Sequence, residues 1–280
     1  MGVVADIERT LATLRRREAE DGEAPLRTST MTHLVWAPPE WLPKARATLA
    51  GLAERHPART IFLIPQRGRH DRVEADATLR DFQRPGLSRE ILSEVIEIRL
   101  CGRPIEHPAS IVVPLLVHDL PVFCRWRGEP PWDSQSFAEI VDVCDRLVVD
   151  SSEWRALPAS YRELASIFDR VAVSDIAFRR TLPWRVHLAG LWPDVASVER
   201  LRVEGPRADA LLLAGWLRSR LDRNVALSRR GAGAVRAVWL DGTPVKASDD
   251  AGASPSDLLS AELDVLVRDH IYEDALGAAI

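Results

Sequence analysis

Between residues 31 and 174 the chain alternates short, β-rich apolar runs with longer segments of helical spacing, and this alternation restricts the fold more than any other feature of the sequence. The β-rich runs fall at residues 32–37, 60–65, 95–101, 122–127, 146–150 and 171–174; the segments 40–55, 106–118, 134–143 and 160–168 have helical spacing. Strand and helix in turn predict an α/β fold with a largely parallel sheet and helices on both faces, because each parallel crossover carries the chain back over one face. The strand cores agree: IFLI at 61–64 and LVV at 147–149 are continuous apolar runs, as a strand covered on both sides requires.

The flanks read differently. MGVVADIERTLATLRRR places apolar and charged positions at helical spacing, so residues 1–30 are expected as a helix and lead-in, followed by an α/β N-terminal domain over 31–194. Near Val195 the texture changes to a strand, a helix over 207–221 and two β-like runs, VALSRR and AVRAVWL. Residues 195–280 are therefore expected as a smaller α+β C-terminal domain. Gly231 and Gly233 lie between the two runs and predict a hairpin turn. After a polar loop, KASDDAGASPS, Ser254 is placed to cap a last helix, with Pro255 in its first turn and Asp257 near its positive end. Leu259, Leu263, Leu266, Val267 and Ile271 then share one helical face.

Composition removes several functional classes. Net charge is −4, from 37 basic and 41 acidic residues without a basic stripe, which argues against a nucleic-acid partner. Cys101, Cys124 and Cys144 are odd in number and widely spaced, so they are expected as reduced, buried thiols. No window approaches the roughly 18 apolar residues of a membrane span, and a cytoplasmic protein is expected.

Catalytic signatures are missing too. The sequence has no phosphate-binding, nucleophile-elbow or zinc-protease motif, and its one G-x-G, at 231–233, opens no helix. No two of the seven histidines stand three or four residues apart, the spacing that would aim both at one metal. Asp142 and Asp145 flank Cys144 as a solvated face. The expectation is a protein with no catalytic residue, no metal and no cofactor.

Two stretches carry residue types enriched at binding hot spots. The first ends HPASIVVPLLVHDLPVFCRWRGEPPW, where Arg125, Trp126 and Arg127 leave a strand and Pro130, Pro131 and Trp132 form a stiff turn. Either these residues meet a partner, or the tryptophans cap the end of the sheet. The second, FRRTLPWR, sets Arg179, Arg180 and Arg185 around Pro183 and Trp184, a combination suited to an acidic loop or a phosphate. Its structural alternative has Pro183 opening a helix with Trp184 packed inside.

At these stretches the chain resembles the OpcA family of glucose-6-phosphate dehydrogenase assembly proteins. The carrying residues are RTSTMTHLVW from Arg27, HPARTIFLI from His56, EHPASIVVPLLVHDLPVFCRWRGEPP from Glu106, DRLVVDS from Asp145, SDIAFRRTLPWR from Ser174 and YEDAL from Tyr272. They occur in the family's order across nearly the whole chain. The resemblance implies an α/β N-terminal domain, a smaller C-terminal domain, and a protein that binds glucose-6-phosphate dehydrogenase and promotes its active oligomer with no chemistry of its own. A sugar-phosphate sensor or enzyme of α/β type is the rival reading, with the arginines at the sheet's carboxyl edge holding a phosphate.

Overall fold

The six β-rich runs all become strands, and a seventh joins them. In chain order they are β1 (Met31–Trp36), β2 (Ala58–Gln66), β3 (Arg72–Phe82), β4 (Ile91–Cys101), β5 (Val122–Trp126), β6 (Arg146–Val149) and β7 (Ala172–Asp175). The structure, a computed structural model, describes residues 2–20, 29–52, 55–68, 70–82, 91–246 and 252–280. It divides into one unit of Met1–Val148 with Pro255–Leu266 and a second of Val149–Ser254 with Val267–Ile280.

In the first unit the strands run in the order β3-β4-β2-β1-β5-β6. β1 pairs in parallel with both β2 and β5, β2 with β4, and β5 with β6; only β3 is antiparallel, to β4. An N-terminal helix, α1 (Val3–Glu20), lies against β3. α2 (Leu42–Ala50), with Pro43 in its first turn, connects β1 to β2. From β1 the chain winds one way to β2, and from β5 it winds the other way to β6. The carboxyl ends of β1 and β5 therefore mark the switch point of the sheet, where open α/β folds place their ligand or contact loops. Leu34, Ile61, Phe62, Leu63, Ile96, Ile98 and Leu147 are fully buried and form the centre of this unit.

β3 was not legible because its inward positions are Val73, Ala75, Ala77 and Leu79, two of them alanine, so the alternation with exposed Arg72, Glu74, Asp76 and Thr78 is weak in hydrophobicity. The single helix expected over 106–118 is instead α3 (Arg103–Glu106), α4 (Ala109–Val112) and a 3₁₀ turn, Val113–Leu115. Pro114 removes an N–H that a continuing helix would need. By contrast α5 (Gln135–Val143) forms as expected, with Ser134 Oγ accepting from Phe137 N at 3.2 Å.

In the second unit, α6 (Ala159–Ala165) precedes β7, and α7 (Ile176–Arg180) and α8 (Leu182–Ala189) follow it. The chain continues into a four-stranded sheet of β8 (Arg200–Gly205), β9 (Ala226–Gly231), β10 (Ala237–Leu240) and β11 (Thr243–Val245), overlaid by α9 (Arg207–Leu221). Its order is β11-β10-β8-β9. The hairpin expected at Gly231 and Gly233 is thus corrected: β9 runs parallel to β8, and β10 pairs on β8's other side. The true hairpin joins β10 to β11 through Asp241 and Gly242, both at positive φ.

The last helix is also corrected. It breaks into α10 (Pro255–Leu263), which belongs to the first unit, and α11 (His270–Ala279), which belongs to the second. Leu259 and Leu263 are buried, whereas Leu266, Val267 and Ile271 are exposed, so the single apolar face does not exist. α10 is fixed by Ser256 Oγ donating to Thr48 O at 3.0 Å, by an Arg55–Asp257 ion pair at 2.6 Å and by a 2.7 Å His56 Nε2–Ser260 Oγ hydrogen bond. The loop expected before it lies partly outside the described residues. Among the described residues no helix is long and apolar enough to cross a membrane.

Candidate functional site

At the switch point of the first unit, strand pleating sends alternate residues of β1 and β5 to opposite faces. Trp36 and Trp126 are paired in register and point the same way, toward α5, with their rings stacked at 4.5 Å and 6°. Phe137 of α5 closes the stack edge-on, 5.0 Å from Trp126 and 5.4 Å from Trp132. The arginines beside Trp126 point to the α2 face. Arg125 Nη1 donates to the Trp126 carbonyl, and Arg127 Nη2 donates to Thr48 Oγ1 at 3.1 Å while its guanidinium stands 6.0 Å from the Trp41 ring. Gly128 has φ +78°, and a Cβ there would lie 3.2 Å from Trp41 Nε1, so chain and indole meet closely.

These placements sort the first set of expected residues. Arg125, Trp126, Arg127 and Pro130 are buried, Trp132 is half-buried and Pro131 is exposed. The buried members hold the end of the sheet together; the surface they support is the Pro131–Trp132 turn. Trp36, which completes the aromatic stack, and Trp41, which meets Arg127 and Gly128, were not singled out from sequence. His33, on the same face as the arginines, is pushed down to about 3 by burial, with His56, Arg125 and Arg127 adding to the effect, and it stays neutral.

The second set lies in the second unit. Trp184 is buried, and Arg179, Arg180, Pro183 and Arg185 are half-buried. Arg185 stacks its guanidinium 3.7 Å above the Phe178 ring and donates to Phe178 O and Thr181 Oγ1, both at 3.2 Å. Arg180 clamps two carboxylates: its Nε donates to Asp209 Oδ2 at 2.9 Å and its Nη2 to Asp150 Oδ1 at 3.0 Å. Ser152 Oγ donates to the same Asp150 oxygen at 2.6 Å. A third carboxylate, Asp175, caps α7: its Oδ1 accepts from Ala177 N at 2.8 Å and Ser151 N at 3.0 Å. Sequence reading missed this cluster, though Asp150 ends one β-rich run and Asp175 directly follows another, which was the available signal.

Asp175 Oδ2 is buried without a hydrogen-bond partner. Burial, and then the charge of Asp150, raise this carboxyl from 3.8 to about 7. Because the folded chain holds this proton more tightly than the unfolded chain, the contribution to stability is full below about 4, falls as pH rises toward 7, and stays low above it. Asp175→Asn keeps the capping oxygen and cannot ionise. It should be the more stable protein at pH 8 by on the order of 1–3 kcal/mol, with a flatter stability profile between pH 4 and 7. Denaturant melts of both proteins across that range check this; parallel profiles would contradict it.

Among the described residues no three histidine, cysteine, aspartate or glutamate side chains gather as a metal site. The three thiols are free and buried; burial pushes Cys124 up to about 12 and Cys144 well above the usual thiol value, so neither supplies a thiolate near neutral pH.

Two family profiles match in order. One is described as the N-terminal domain of a glucose-6-phosphate dehydrogenase subunit, over residues 50–166, and the other as the C-terminal domain of such a subunit, over 171–252. Three cyanobacterial proteins named OxPP cycle protein OpcA are similar over 61% of this chain. The Nostoc punctiforme protein is 26% identical, the Synechocystis protein 24% and the Synechococcus elongatus protein 23%. The aligned segment covers 39%, 38% and 41% of their respective lengths, so this chain spans about two-fifths of each relative. With both domain profiles matched along an α/β unit and the smaller sheet that follows, the chain belongs to the OpcA family.

Proposed function

We propose that this chain is a non-catalytic partner of glucose-6-phosphate dehydrogenase, acting in the cytoplasm, that binds the enzyme and promotes its active oligomer in the oxidative pentose phosphate pathway. The observation that carries this reading is the ordered match to both domains of the dehydrogenase-linked family. Activation needs no reactive group here. A protein that binds the competent state of an enzyme better than its idle state shifts the population by that difference, and about 1.4 kcal/mol moves it tenfold. The contacts are proposed to come from the Arg125–Trp132 turn, through Pro131 and Trp132, and from the Arg179–Arg185 segment.

The test is to follow NADP reduction by the dehydrogenase of the same organism with and without the purified chain, and to assay the chain alone on sugar phosphates. A raised rate for the mixture and no turnover by the chain alone are expected. An unchanged rate at micromolar concentrations of both proteins, or turnover by the chain alone, would overturn the proposal.

A further inference from the structure

β3 is the last strand on its side of the sheet. It pairs with β4 alone, so among the described residues no strand lies along its outer side. An open strand edge offers a row of N–H and C=O groups to another strand, and folds commonly guard it with proline, lysine, a bulge or a charge turned inward. Between Arg72 and Arg80, β3 has none of these. It contains no proline or lysine, its pairing with β4 runs unbroken, and the residues it turns toward α1 are Val73, Ala75, Ala77 and Leu79. Beside the edge, α1 and β3 enclose a groove of about 550 Å³, walled by Val3, Ile7 and Thr10 of the helix and by Val73, Ala75 and Ala77 of the strand. Asp6, also at the groove, is paired with Arg9 at 3.1 Å. Asp76 and Thr78 border it as well, although they point to the other face of the strand, so the groove follows the open edge.

The charges on that other face select the occupant. It reads Arg72, Glu74, Asp76, Thr78, Arg80. Arg72 reaches Glu74 at 3.3 Å and Asp76 reaches Arg99 at 2.6 Å, but both carboxylates stay exposed and can accept a further donor. Asp71, just before the strand, is taken by Arg103. Two copies of β3 related by a two-fold axis normal to the sheet run antiparallel and keep α1 on the same face of both. Centred on Ala77, the midpoint of Arg72–Phe82, such a pairing uses the whole strand. It sets Glu74 of each copy opposite Arg80 of the other, and Asp76 opposite Thr78. On the α1 face it sets Leu79 opposite Ala75, a large side chain against a small one at the groove. Centred on Asp76, it would set Arg72 against Arg80 and Asp76 against itself, and like charges directly opposite are unfavourable. Centred on Thr78, it would join Asp76 to Arg80 but leave Arg72 and Val73 unpaired. The charge order of β3 is thus complementary to its own reverse, and one register satisfies both charge and length.

We propose that β3 is a homodimerisation edge, and that two copies of this chain join their sheets by antiparallel pairing of β3 centred on Ala77. The pairing needs no dehydrogenase and stands or falls apart from the function proposed above. Sedimentation velocity of the purified chain at tens of micromolar should show a dimer. Glu74→Arg and Arg80→Glu each set like charges opposite one another twice, by symmetry, and each should weaken the dimer roughly tenfold or more. The double variant Glu74→Arg/Arg80→Glu restores opposite charges and should recover it, with circular dichroism and Tm at wild-type values throughout. Ala77→Cys meets its own copy at a Cα separation of about 4.5–5.5 Å and should form a reducible covalent dimer on mild oxidation, whereas Val73→Cys should not. A chain that stays monomeric, a dimer that neither single variant weakens, or a double variant that does not recover would overturn the proposal. If the chain is monomeric while the single variants lose affinity for the dehydrogenase, the edge receives a strand of that enzyme, and the second copy is overturned as its occupant.

Discussion

Arg180→Ala is expected to cost the second unit about 3–5 kcal/mol, enough to leave it largely unfolded near physiological temperature. The loss comes less from the arginine's own contacts than from what its removal strands. Asp209 is fully buried, Asp150 nearly so, and Arg180 donates to both. Without it two carboxylates face one another, and Asp175, in low-dielectric surroundings, and each must take up a proton or remain as an uncompensated charge. The sign with pH follows: stranded carboxylates have raised pKa values, so the variant should lose most at pH 8 and recover part of its stability toward pH 5. Adding Asp209→Asn to Arg180→Ala should restore part of the stability at pH 8. Urea melts followed by far-UV circular dichroism at both pH values give the result; a loss under about 1 kcal/mol, the value of an exposed ion pair, would contradict the account.

Gly215→Ala is expected to destabilise the same unit by about 3 kcal/mol. In an exposed helix this substitution gains about 1 kcal/mol, because alanine is the better helix former. Packing decides against it here. Gly215 lies where α9 packs against α11: a Cβ would overlap the Ala275 carbonyl oxygen and stand 2.9 Å from both Ala279 N and Ala279 Cβ. Neighbouring Tyr272 and Leu276 are fully buried, so α11 cannot yield without opening the core. A Tm below wild type is predicted; a Tm above it would mean that the two helices do not pack this closely.

The parallel strands of the first unit were legible because a strand covered on both faces must be apolar throughout, as IFLI and LVV are. α5 and α9 were legible through their spacing. β3 escaped because alanines carry its inner face, and the split of α10 from α11 escaped because helical spacing continues through 264–269 in sequence while the chain does not. The candidate site was legible in residue type more than in direction. RWR marked a real structural junction, but strand pleating buries its tryptophan toward α5 and its arginines toward α2. Likewise FRRTLPWR held the Pro183 that opens α8, yet the exposed side of that helix begins with Leu182 and continues past the motif to Val186. A window that stops at Arg185 sees half of that side. The carboxylate cluster around Arg180 joins residues 150, 175, 180 and 209, a distance in sequence that no local pattern spans.

The most direct measurement of the central claim is sedimentation velocity of this chain mixed with glucose-6-phosphate dehydrogenase from the same organism, at micromolar concentrations and low salt. The account predicts a boundary heavier than the dehydrogenase alone, containing both proteins. Two boundaries, each at the position of its protein alone, would contradict it.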